Sequence, residues 1–176
     1  MYPYFRLAKE VWKFRSSAGL SVLDPHISTH RIWPWDLDPW MELNNGRTLT
    51  LFDLGRIPMS IRMGFDKVAK AKGWGITVAG NSTRYRKRVT VFTKLTQVCR
   101  VIGWDDRFSY IEQTFWRGDD CTAAMLLRSA VTSKAGLVPP REVMAALGQP
   151  TESPQLPQWV QTWITADGLR PWPPQR

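Results

Sequence analysis

The sequence predicts a single α+β domain in which an antiparallel β-sheet wraps one long, buried helix. Three observations carry that expectation. The segment from Asn45 to Arg56 is apolar on more than one side, so it is suited to enclosure rather than to a surface. Three or four strand-length runs follow it, separated by Gly-Asp clusters short enough to be hairpin connections. One strand-length run precedes it, and in this order sheet and helix can bury their apolar faces only against each other.

Composition sets the bounds. A chain of 176 residues is one ordinary domain, and ten Trp, seven Phe and four Tyr supply a large apolar payload. Cys99 and Cys121 stand in strand-like runs and form no CxxC pair, so they read as reduced packing residues. Arg6, Lys9, Glu10, Lys13 and Arg15 interrupt the start, which therefore lacks the apolar stretch of a signal peptide. No window approaches the roughly 20 apolar residues of a membrane span. These features lead to the expectation of a cytoplasmic protein. The net charge of +9 is concentrated: Lys67 to Trp104 holds nine Lys or Arg and no acid, while the rest balances. Such a segment attracts a polyanion, whether nucleic acid, an anionic membrane or a phosphate-bearing ligand.

Residues 1–24 read as an N-terminal amphipathic helical arm, 25–148 as the main domain and 149–176 as a Pro- and Trp-rich tail. In the arm, Tyr4 or Phe5, Ala8, and Val11 or Trp12 recur at helical spacing. That stripe is expected to pack on the domain or on a partner subunit, a weak membrane-surface contact being the lesser reading. His26 to Trp35 suits a strand. Asn44-Asn45-Gly46 then starts the buried helix, and Pro58 is expected to interrupt it and begin a second one. Strands are predicted over Ile76 to Val91, Thr93 to Ile102, Phe108 to Trp116 and Thr122 to Ser133, joined as a meander. Pro139 to Leu147 reads as a short closing helix. The tail, with Trp159 and Trp163 at i and i+4, reads as a docking segment rather than a second domain.

The stretch that carries chemistry runs from Trp33 to Arg47. It joins two carboxylates, Asp36 and Asp38, to the amino end of the buried helix. That end offers unpaired backbone N–H groups and partial positive charge, which can polarise a carbonyl and hold the oxyanion of acyl transfer. A nearby carboxylate can attack the carbonyl or activate water. The same residues also admit a purely structural role, with Asn44 or Asn45 capping the helix and the aspartates holding the turn.

The whole pattern Asp36-x-Asp38-x-x-x-Glu42-x-Asn44-Asn45 resembles the DxDxxxHxNN signature of the hotdog-fold acyl-CoA thioesterases related to 4-hydroxybenzoyl-CoA thioesterase. Tyr85-Arg86-Lys87-Arg88, Gly103-Trp104-Asp105-Asp106 and Glu112-Gln113-Thr114-Phe115 resemble its thioesterase-like, or THEM6-like, branch. The likeness runs from about Ile27 to Leu147. It implies a hotdog fold over 25–148 and hydrolysis of acyl-CoA or a related acyl thioester. It also implies a homodimer or dimer-based tetramer with active sites between subunits, and no metal or other cofactor. It makes Asp38 the catalytic carboxylate, and the backbone of Asn45, with Gly46 beside it, the group that polarises the carbonyl. Asp36, Glu42 and Asn44 would shape the site, and Trp40, Leu49 and Phe52 would wall an acyl tunnel. Glu42 and Thr48 depart from the pattern, standing where many relatives carry histidine and tyrosine. These departures keep open a second function, an acyl-CoA-binding hotdog protein without turnover.

Arg84, Arg86, Lys87 and Arg88 lie close together, so strand alternation sends neighbours to opposite faces. Some of them are expected to hold coenzyme A phosphates, the others to be solvated. The only histidines, His26 and His30, stand apart from the carboxylates and are expected at the surface or hydrogen-bonded, so neither a metal site nor a nucleophilic triad can be built. Acyl hydratase chemistry on this fold relies on a histidine that is not placed here. A nucleic-acid binder ranks last because no recognition motif accompanies the basic stretch.

Overall fold

The computed structural model describes residues 2–174. Helix α1 (Tyr4–Phe14) is followed by strand β1 (His26–Arg31), a 3-10 turn (Pro34–Asp36), the long helix α2 (Asn45–Arg62) and helix α3 (Phe65–Lys72). Then come β2 (Gly75–Tyr85), β3 (Lys94–Trp104), β4 (Ser109–Arg117), β5 (Asp120–Ser133), β6 (Gly136–Val138), α4 (Pro140–Ala146) and α5 (Gln158–Gly168). All strand pairs are antiparallel, in the order β1-β3-β4-β5-β2, with β6 pairing the end of β5. Among the described residues no helix is long and apolar enough to cross a membrane.

Helix α2 is enclosed as its composition requires: no residue from Arg47 to Met63 is exposed. Leu51, Phe52, Leu54 and Met59 pack against Leu95, Cys99, Val101, Ile111, Phe115 and Met125 of the sheet. Phe52 stacks on Phe115 with ring centres 4.4 Å apart. A buried polar contact pins the middle of the helix. The side-chain amides of Gln97 and Gln113 donate to the Phe52 carbonyl at 2.9 and 2.7 Å, and Arg56 Nη1 donates to Gln113 Oε1 at 2.9 Å. Gly55 makes this approach feasible, because a Cβ there would lie 2.5 Å from Gln97 Nε2.

The structure corrects several expectations. Pro58 lies inside α2 without ending it, since Leu54, Gly55, Pro58 and Met59 are all buried and packing outweighs one lost donor. The helix breaks at Gly64, whose φ of +81° suits glycine, and the second helix starts after it. The strand expected over Ile76 to Val91 stops at Tyr85. Only β3, β4 and β5 form a meander, because β2 pairs β5 rather than β3 and β1 takes the other side of β3.

Helix α1 packs through Leu7, Glu10, Val11 and Phe14; of the expected stripe only Val11 turns inward, while Tyr4, Phe5, Ala8 and Trp12 are exposed. Hydrogen bonds from Tyr2 Oη to Asp53 at 3.0 Å and from Arg6 to Asp36 at 2.7 Å anchor its amino end in that rotation. In the tail, α5 lies on the outer face of the sheet, with Val160 fully buried against Tyr110 and Leu126.

Candidate active site

The connection from β1 to α2 has two sides. On the inner side Asp36 is buried, and its Oδ2 takes Arg6 Nη1 at 2.7 Å and the backbone N–H of Trp33 at 3.0 Å. Its Oδ1 forms an ion pair with Arg47 Nε at 3.1 Å, and its carbonyl accepts from Asn44 N at 3.0 Å. Asp36 therefore joins α1, the 3-10 turn and the first turn of α2. It is held by cations from two elements and lies away from open space.

On the outer side Asp38 organises a tight turn. Its N–H donates to the Glu42 carbonyl at 2.8 Å, its carbonyl accepts from Met41 N at 3.0 Å, and Oδ1 accepts from the N–H groups of Trp40 at 2.9 Å and Glu42 at 3.3 Å. Among the described residues Oδ2 takes no hydrogen bond. Met41, with φ of +60°, holds the turn in a conformation that ordinary residues adopt rarely. The segment after β2 closes over it. Arg88 Nη2 donates to the Trp40 carbonyl at 2.6 Å, Arg88 Nε lies 3.4 Å from Glu42 Oε2, and Leu43 N donates to the Val89 carbonyl at 2.8 Å.

Asn44 caps α2, its Oδ1 accepting from Arg47 N at 3.0 Å. The N–H of Thr48 is taken by the Asn44 carbonyl at 2.9 Å. The N–H groups of Asn45 and Gly46 have no partner among the described residues and sit at the positive end of the helix.

A cavity of about 330 Å³ brings these pieces together. Asp38, Trp40 and Glu42 line it from the turn, Asn45 and Thr48 from the helix start, and Tyr85, Lys87 and Thr122 from the sheet and the segment beyond β2. Tyr85 Oη donates to the Asn45 carbonyl at 3.3 Å, and burial pushes its phenol up. A larger, more open depression of about 480 Å³, lined by Tyr2, Trp35 and Asn44, lies on the other side of the connection and reaches neither Asp38 nor Asn45. Of these two, only the smaller is lined by carboxylates.

Of the residues singled out in the sequence, the cavity gathers Asp38, Trp40, Glu42 and Asn45, with Gly46 next along the helix and Arg88 at the rim. Asp36 is buried outside it and Asn44 faces the other depression. Leu49 and Phe52 belong to the core rather than to a tunnel. Arg84 projects to the opposite face, where it lines a groove with Trp159 and Trp163. Arg86 is exposed and meets the sheet through its N–H, which donates to the Thr122 carbonyl at 2.9 Å. Strand alternation cannot align Arg84, Arg86 and Arg88 because the strand ends at Tyr85. Sequence reasoning misses the lining roles of Tyr85 and Thr122; it takes Lys87 as a candidate for the coenzyme A phosphates and marks Thr48 only as a departure from the pattern.

Both histidines lie within β1 and are buried, His30 hydrogen-bonded to Ser28 Oγ at 2.9 Å and His26 Nδ1 3.1 Å from Arg62 Nη1. Surface placement is therefore excluded, whereas hydrogen bonding holds. Burial first, then the nearby cations, pushes His26 down to about 4 and His30 to about 3, so both stay neutral near pH 7. Cys99 is buried, and its thiol is pushed up to about 12 by desolvation.

A turn-borne carboxylate shares a cavity with the start of the helix that the antiparallel sheet wraps, the arrangement of a hotdog fold. Residues 32–164 match the Thioesterase-like superfamily, and the chain belongs to that family. It is 28% identical over 145 residues to Protein THEM6 of Xenopus laevis, covering 81% of this chain and 69% of that protein. The probable thioesterase YbaW of Escherichia coli superposes with a TM-score of 0.65 at 15% identity, over 69% of this chain and 96% of its own. The protein SAV2348 of Staphylococcus aureus, solved in complex with CoA, superposes with a TM-score of 0.64 at 10% identity, over 81% and 96%.

Proposed function

We propose that this protein hydrolyses acyl-CoA or a related acyl thioester to the free acid and the thiol. One observation carries the reading: Asp38 and the first turn of α2 line the same cavity. The thioester carbonyl would lie against the N–H groups of Asn45 and Gly46, where the helix end stabilises negative charge as it develops on oxygen. Asp38 would take a proton from water as the water oxygen bonds to the carbonyl carbon, or would itself attack to form an acyl–Asp38 anhydride that water then hydrolyses to the acid and the free carboxylate. Collapse of the tetrahedral species then breaks the C–S bond, and the thiolate leaves with a proton. Lys87 and Arg88, at the cavity and its rim, suit the phosphates of coenzyme A.

The assembly implied is a homodimer through β2. That strand of 11 residues lies at the sheet edge, nearly all of it exposed, and exposes Ile76 and Val78. Such an edge is ordinarily covered. A strictly monomeric mass at micromolar concentration would remove this part of the reading.

A second reading, acyl-ligand binding without turnover, is favoured by the two backbone N–H groups that already occupy Asp38 Oδ1 and by the Arg88 partner of Glu42. Thiol release over short, long and aromatic acyl-CoAs decides between them. Release with at least one class supports hydrolysis. Saturable binding with no release across the panel contradicts it.

A further inference from the structure

Helix α1 is rotated against its own composition. It turns Glu10 inward and leaves its largest apolar side chains outside, with Phe5 94% and Trp12 65% exposed. The outward side carries Lys9, Lys13 and Arg15, and α1 has no acid besides the buried Glu10. The Arg15 guanidinium lies 4.4 Å from the centre of the Trp12 ring. Aromatic groups flanked by cations are the composition of helices that lie in a membrane interface.

The patch continues beyond the helix. Tyr4 meets Tyr2 with ring centres 4.9 Å apart, and Tyr2 lines the open depression together with Trp35. Trp35, itself 66% exposed, stacks on Trp33 at 5.5 Å, and Trp33 meets Phe92 at 5.9 Å. Arg31 and Lys94, paired across β1 and β3 and both exposed, add positive charge beside it. Contiguous exposed aromatic surface of this kind marks a contact site.

We infer that α1 and the Trp33–Trp35–Phe92 cluster dock this protein on an anionic lipid surface. Charge selects the lipid over a second copy. A two-fold interface sets the same patch against itself, which would bring Lys9, Lys13 and Arg15 of one copy onto a helix whose sole acid, Glu10, is buried. Anionic headgroups meet those cations, while the aromatic rings enter the headgroup region.

The test is co-sedimentation of the full chain with vesicles of phosphatidylcholine alone and of phosphatidylcholine mixed equally with phosphatidylglycerol. The expected result is binding to the mixed vesicles that weakens with added salt. It should fall by about tenfold or more in Lys9→Gln/Lys13→Gln, since each cation near an anionic surface contributes about fivefold. Phe5→Ser/Trp12→Ser should lose vesicle binding while thermal unfolding stays unchanged, because both side chains are solvent-exposed in the free protein. Absence of binding to mixed vesicles, or equal binding by wild type and both variants, overturns the inference. A drop in the mass of the free protein on Phe5→Ser/Trp12→Ser also overturns it, and assigns the face to a second copy.

Discussion

Asp36 and Asp38 stand two residues apart and have opposite surroundings. Asp36 is buried between Arg6 and Arg47, whereas Asp38 lines a cavity with one oxygen bonded to its own turn and the other outside that network. The difference teaches that a carboxylate's role follows from what surrounds it. Cations from two separate elements turn one aspartate into a joint, and the neighbouring turn leaves the other with one oxygen outside its hydrogen bonds. Substitutions on the buried side should therefore lower stability with little effect on turnover per folded molecule. Those on the open side should do the reverse.

The largest effect on stability is expected at the joint itself. Asp36→Ala leaves two part-buried guanidinium groups without their buried carboxylate and should cost about 3 kcal/mol. Denaturant unfolding measures it, and a loss below about 1 kcal/mol would show that the joint carries little. Next, Gly55→Ala drives a Cβ into the Gln97 amide that holds the Phe52 carbonyl, and should cost about 1–3 kcal/mol. Unfolding of this variant at the wild-type midpoint would contradict the pinning role.

Acid should weaken the buried side progressively. His26 and His30 titrate near 4 and 3 when folded, against an ordinary value of 6.5. Between these limits the unfolded chain binds more protons, so stability rises with pH and falls on acidification. The slope is up to about 1.4 kcal/mol per pH unit for each histidine, and the contribution is flat above about 6.5. Glu10, which burial pushes up, acts in the opposite sense above its ordinary value of 4.5. Unfolding measured from pH 7 to 4 should therefore show a shallower slope in His30→Gln than in wild type, and identical slopes would refute the assignment. The smallest effect belongs to the open side. Arg88→Ala removes a half-exposed clamp and should change stability by under about 1 kcal/mol while lowering kcat/KM about fivefold. Steady-state kinetics beside a melting curve would separate the two.

The enclosure of α2 was legible because its apolar residues fall on several sides, and its start was legible because Asn44 has a side chain that caps. The two aspartates could not be told apart, since the sequence does not say that Arg6, thirty residues earlier, reaches Asp36. The continuity of α2 through Pro58 was also hidden, because burial against distant strands decided it rather than local propensity. The three arginines of the basic run were read by strand alternation, which holds only up to Tyr85. Tyr85, Lys87 and Thr122 reach the cavity through the pairing of β2 with β5, a long-range register that local patterns do not encode.

The catalytic role proposed for Asp38 is tested most directly by kcat for thiol release in Asp38→Asn, measured beside wild type and Asp36→Asn at saturating acyl-CoA. The amide keeps the turn's shape but can neither attack a carbonyl nor accept water's proton. A fall of about 10² to 10⁴ in kcat, with the melting temperature and acyl-CoA binding retained, is the predicted result. Wild-type kcat in Asp38→Asn, with turnover abolished in a folded Asp36→Asn, would contradict it.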